Sequence, residues 1–215
     1  MSKDGRRGAR RDRKQRSFKR TPELGYYIVL TDAKETEVNY LNGLRDSIPP
    51  RLKNRLVIKV VTVSTSDMLE KCLEIAAVEP QYRVPWIVFD RDQVRDFNQI
   101  VSDADRKSIN VGWSNPCLEI WFHAYFANMP MSSTSGKCID AFSAEFKKHT
   151  GQEYIKNDKD IYRKLCESGD ENAAINTAKS RHKQVNKSTK PSDMLSVTTL
   201  YTLIEEIRRK IKTLE

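Results

Sequence analysis

Through its first 130 residues the chain alternates β-branched apolar runs with amphipathic stretches. Apolar runs at 26–31, 56–63, 84–89 and 108–113 predict four strands, and their near-continuous hydrophobicity is that of strands buried on both faces. Between them lie helix patterns. Thr36 is placed to cap a helix with Tyr40, Leu41 and Leu44 on its inner face, ending before Pro49 and Pro50. Ser64 to Asp67 lead into a second helix carrying Met68, Leu69, Cys72, Ile75 and Ala76, stopped by Pro80. A third runs from about Gln93 to Lys107. This β-α-β-α-β-α-β order predicts an α/β fold: a Rossmann-like, mostly parallel four-stranded sheet flanked by helices.

After the fourth strand, Ser114-Asn115-Pro116 reads as a cap followed by Pro in the first helical turn. The apolar and aromatic positions from Cys117 to Phe126 then make a largely buried helix. Beyond Met129 the composition turns polar at 131–136. Helices are predicted near 137–150, 158–168, 169–183 and 197–213, with a polar linker at 186–192. In the last of these, Leu200, Leu203, Ile204, Ile207 and Ile211 share one face. The expected organisation is an arm at 1–22, an α/β domain at 23–130, and a helical extension at 131–215 packed on it.

Chemistry concentrates where the strands end. The run from Trp86 to Phe89 stops abruptly in Asp90-Arg91-Asp92, and the first strand is followed by Asp32, Glu35 and Glu37. In an open α/β sheet ligands bind at the carboxyl ends of the strands, and oxygen donors there suit a hard divalent cation. Glu119 lies near the same edge. A carboxylate in a first helical turn has a simpler explanation in the helix dipole, but in so aromatic a helix a buried Glu needs a partner.

The net charge of +9 is uneven. Residues 1–20 hold ten Lys and Arg, including Arg6, Arg7, Arg10, Arg11, Arg13, Lys14 and Arg16, against Asp4 and Asp12, a net +8 that leaves +1 for the rest. Such a segment is expected to be disordered. It reads either as a nucleic-acid-binding arm or as a solvated tail. Cys72, Cys117, Cys138 and Cys166 lack metal-ligand spacing, as do His123, His149 and His182, and the cysteines read as reduced cytosolic thiols. No apolar run is long enough for a membrane span, and no signal-peptide core is recognised. A soluble, cytoplasmic protein is expected.

At these motifs the chain resembles the RloB-like proteins, over about residues 24–210. The likeness rests on Thr36-Glu37 and Asn39-Tyr40 after the first strand, on Phe89 to Asp92, and on Trp113 to Trp121. Weaker support comes from Tyr154-Ile155-Lys156, Ala174-Ile175, Ala178-Lys179, Pro191-Ser192, Thr198-Thr199 and Leu203-Ile204. The resemblance implies a TOPRIM-type nuclease fold and a role as effector in bacterial anti-phage (abortive infection) defence, often beside an ABC/AAA-type ATPase partner. By the same resemblance Asp32, Asp90 and Asp92 match the TOPRIM acids. The first motif departs from the family pattern Cys-Glu-Gly-Glu-Lys-Thr-Glu: here it reads Thr31-Asp32-Ala33-Lys34-Glu35-Thr36-Glu37. Asp32 loses a methylene of reach, and Glu35 or Glu37 is a possible substitute.

The expected function is therefore a Mg²⁺- or Mn²⁺-dependent endonuclease acting on DNA or RNA. Asp32, Asp90, Asp92 and Glu119 would be the metal ligands, and Lys156 would join them in catalysis, mainly by the resemblance. Lys34, Arg91 and the basic arm are candidate nucleic-acid contacts. The alternative is a catalytically weak or inactive TOPRIM-like module that binds nucleic acid or a partner, its acids paired with Arg91 and Arg95. A phosphotransferase of the same sheet type lacks the Gly-rich phosphate loop it would need. Oligomerisation is compatible with these features, and no membrane partner is expected.

Overall fold

Alternation along the buried strands decides which helix covers which face of the sheet. The computed structural model describes residues 22–33, 35–78, 83–92 and 94–213, so the basic arm through Arg20 and the candidate contact Lys34 lie outside the described residues. In chain order the elements are β1 (Gly25–Thr31), α1 (Thr36–Asp46), β2 (Leu56–Thr62), α2 (Met68–Ala77), β3 (Val84–Asp90), α3 (Phe97–Arg106), β4 (Asn110–Asn115), α4 (Glu119–His123), α5 (Ser135–Thr150), α6 (Ile161–Ser168), α7 (Glu171–Gln184), β5 (Val197–Thr198) and α8 (Tyr201–Lys212).

The sheet order is β2-β1-β3-β4-β5, with β5 alone antiparallel. Successive strand residues point to opposite faces. Tyr27 and Val29 of β1 and Trp86 and Val88 of β3 face one way, onto Tyr40, Leu41 and Leu44 of α1 and Leu203, Ile204 and Ile207 of α8. Ile28, Leu30, Ile87 and Phe89 face the other way, onto Met68 and Cys72 of α2 and Phe97 and Ala104 of α3. Burying a side chain of this size contributes about 1.5–3 kcal/mol, so strand alternation strongly fixes each face. The chain leaves β1 over one face to reach β2 and returns over the other to reach β3. The strand order therefore reverses between β1 and β3, which is where open α/β sheets bind ligands.

The α/β architecture agrees with the sequence reading, with local corrections. Among the described residues the sheet has five strands, because Val197 and Thr198 pair with Asn115 and Ser114 instead of opening the last helix. Two residues are too few to display a strand period. Their pairing commits Ser114 and Asn115 to the β4 ladder, so neither caps a helix. The Asn115–Pro116 peptide is cis, and α4 spans only Glu119–His123 before the backbone tightens into three-residue turns at 124–126. Thr36 is the first helical residue of α1 instead of its cap; Glu35 holds the cap position without a side-chain cap bond. Thr65–Asp67 form a short 3₁₀ turn after Ser64, and no side chain caps α2.

Two features tie the helical C-terminal half to α1. A Cβ on Gly43 would sit 2.3 Å from Cβ of Tyr162, so α1 and α6 approach as closely as a bare backbone allows. Beside them, Arg208 of α8 grips Glu171 of α7 through Nε at 2.5 Å and Nη2 at 3.1 Å. Glu171 Oε1 also accepts from Tyr162 at 3.0 Å and Tyr125 at 3.3 Å, and the Tyr125 hydroxyl lies 2.9 Å from that of Tyr40.

Candidate active site

Strand alternation carries one step past the core. Asp90 follows Trp86 and Val88 on the face that α1 covers, and it ends β3 at the strand-order reversal. On the neighbouring strand the chain leaves β1 at Thr31 and enters α1, whose first turn carries Glu37, 6% exposed. Glu119, 2% exposed, opens α4 from the far side of the same edge. Three carboxyls from three elements meet there.

The contacts are specific. Glu37 and Asp90 lie close enough to act on each other directly, and the charge of Glu37 raises Asp90. The Leu118 amide donates to Asp90 Oδ2 at 3.0 Å. Glu119 Oε1 accepts from the Tyr154 hydroxyl at 2.9 Å and lies 4.0 Å from Lys156 Nζ. The loop bearing Tyr154 and Lys156 is pinned over the site by the Thr36 hydroxyl, which donates to the Lys156 carbonyl at 3.1 Å.

Electrostatics reflect the crowding. Burial chiefly, with added repulsion from Glu119 and Asp32, raises Glu37 to about 7. Burial, then the charges of Glu37 and Glu119, raises Asp90 well above the usual carboxylate range. Burial and the charge of Glu119 likewise raise Tyr154, which stays a neutral donor. The surroundings thus favour a proton, or another positive charge, among the acids.

The sequence-predicted residues divide. Asp90, Glu119 and Lys156 come together, and Glu37, expected only as a possible substitute, stands at the centre. Asp32 is peripheral: it accepts from the Thr65 hydroxyl and reaches Glu37 through its charge. Asp92 and Glu35 are exposed. Asp92 instead borders a depression of about 230 Å³ with Arg91, Asn115 and Ser192. Neither Arg91 nor Arg95 forms an ion pair with Asp90 or Asp92 among the described residues, so the expected arginine-paired acidic corner is not formed there. Tyr154 was missed as a site residue; its signal was an aromatic two positions before a lysine, just past the α5 glycine stop.

Oxygen donors of this kind suit a hard cation in chemistry. Among the described residues, however, no three His, Cys, Asp or Glu side chains stand in a metal-holding arrangement. Glu119 nonetheless lies near enough to raise both Glu37 and Asp90 by its charge. No helix among the described residues is long and apolar enough to cross a membrane, and all four cysteines are free. No curated protein and no solved structure matches the chain. A family model described as RloB-like protein matches residues 27–207. That match spans most of the chain, which therefore belongs to the RloB-like protein family.

Proposed function

We propose that this protein is a metal-dependent nuclease that hydrolyses phosphodiester bonds of DNA or RNA, with Glu37, Asp90 and Glu119 holding Mg²⁺ or Mn²⁺. The observation that carries this reading is the convergence of three carboxyls at the strand-order reversal, where burial and mutual repulsion favour a positive charge among them. A bound divalent ion would supply Lewis acidity and a more acidic water. Around it, Tyr154 orients Glu119 by donation, and the Leu118 amide fixes one Asp90 oxygen. Lys156, 59% exposed along its side chain, is free to turn from Glu119 toward an anionic substrate. Asp32 is placed to adjust the charge felt by Glu37 and is not needed as a ligand. By the family's resemblance to TOPRIM-type defence nucleases, we further propose an anti-phage role with an ATPase partner.

The test is incubation of the full chain with DNA and RNA in Mg²⁺ or Mn²⁺. Cleavage is expected, abolished by Asp90→Asn and by Glu37→Gln. Intact nucleic acids together with no Mn²⁺ heat of binding by calorimetry would sink the proposal.

A further inference from the structure

Outside the basic arm the chain carries a net charge of only +1, yet residues 176–190 hold Lys179, Arg181, Lys183, Lys187 and Lys190 and no Asp or Glu. They form the second half of α7 and the loop behind it. Lys179 is engaged by Glu205 at 2.6 Å, and Arg181 is anchored on the Met129 carbonyl at 2.8 Å. Lys183, Lys187 and Lys190 are exposed and form no ion pair among the described residues. Alongside runs a groove of about 460 Å³ lined by Asn128, Asn176, Thr177, Ser180, Arg181 and Gln184. Every one of these side chains is polar and none is acidic.

The groove leads somewhere. Its walls come from the segment that begins at Asn128 and from α7. The same two stretches of chain continue to the depression beside Asp92, where Ser133, Thr134 and Ser135 meet Ser192 and Leu195. Next to that depression they are joined by Ser132 and Ser196, whose backbone and hydroxyl groups bond at 2.7 and 3.3 Å. The far end is fixed by the Asn115 amide, which donates to the Pro191 and Ser192 carbonyls at 3.3 and 2.9 Å, where β4 ends beside Asp90. The α7 groove offers hydroxyls, amides and unpaired lysines, the groups that hold a sugar-phosphate backbone without reading its bases, and the carboxylates Asp92 and Asp193 come only at its far end.

We infer that the α7 groove and the 185–192 loop are the track along which a nucleic-acid phosphate backbone reaches the acid cluster. This rests on the nuclease reading and gives it a substrate path separate from the N-terminal arm. Lys183, Lys187 and Lys190 contact phosphates, and Asn176 and Ser180 line the groove for the sugar-phosphate chain.

The test uses the full chain in EDTA with labelled single-stranded and duplex oligonucleotides, read by fluorescence anisotropy over a salt series. The Lys183→Gln/Lys187→Gln/Lys190→Gln variant, changed only at exposed positions, is expected to bind about tenfold or more weakly. Its slope of log affinity against log salt should be shallower by about 2, at ~0.7–0.9 per lost phosphate contact. Asn176→Asp/Ser180→Asp, which puts carboxylates into the groove, is expected to weaken binding likewise. Unchanged affinity and slope in both variants overturns the inference. Labelled polyglutamate is run beside the oligonucleotides, and a loss confined to it also overturns the inference and marks an acidic protein as the occupant. Binding is read without divalent ion and cleavage separately in Mg²⁺ or Mn²⁺: a chain that binds along the track in EDTA yet never cleaves with either ion refutes hydrolysis and spares the track, and a chain that cleaves with the ion while both variants bind normally does the reverse.

Discussion

Replacing Glu37 by Gln should flatten the dependence of stability on pH. In the folded chain Glu37 titrates at about 7, against an ordinary value of 4.5. Between those values the native state keeps a proton that the unfolded chain has released. Stability is thus full below about 4.5 and falls as pH rises, levelling above about 7. At 1.36 kcal/mol per pH unit, that gap is worth about 3 kcal/mol. The side chain is 6% exposed, so solvent screens little of it. Asp90 moves in the same direction and is raised in part by Glu37 itself, so the substitution relieves both groups. Gln carries no proton to lose and can still donate to the Asp90 carboxylate.

Urea unfolding in EDTA measures this directly. Between about pH 5 and pH 8 the natural chain should lose about 3 kcal/mol more than Glu37→Gln. Excess Mn²⁺ at the higher pH should restore stability to the natural chain and little to the variant, because a ligand that binds only the native state stabilises it by mass action. Parallel pH profiles for the two proteins would refute the reasoning, since they would mean that the Glu37 carboxyl is as well solvated folded as unfolded.

Arg208→Ala should cost about 3–5 kcal/mol in chemical denaturation, because it leaves Glu171 charged and largely buried; a loss under about 1 kcal/mol would show that Glu171 is solvated after all. Gly43→Ala should destabilise by about 1–3 kcal/mol despite the better helix propensity of Ala, since the new methyl meets Cβ of Tyr162. A rise in melting temperature would contradict that close approach. Tyr154→Phe should lower Mn²⁺ affinity or cleavage in Mn²⁺ by about 10–100-fold, as it removes the hydrogen bond that orients Glu119; unchanged affinity and cleavage would remove Tyr154 from the site.

Legibility followed the range of the signal. The α/β order and the acidic strand ends were readable because runs of six or seven apolar residues and abrupt carboxylates are local. β5 was not, since two residues acquire strand character only from the partner strand that Ser114 and Asn115 offer. The choice among acids failed for a related reason. Asp90-Arg91-Asp92 looks like a pair in sequence, but only Asp90 still belongs to the strand, and alternation past Trp86 and Val88 aims it at α1. Asp92, beyond the ladder, has no such constraint and stays exposed. Asp32 likewise lies before α1 begins, whereas Glu37 is carried inward by the helix that buries Tyr40 and Leu41. The acid that meets Asp90 is therefore the one whose element packs on the same face, and spacing along the chain says little about that until each strand residue is assigned a side.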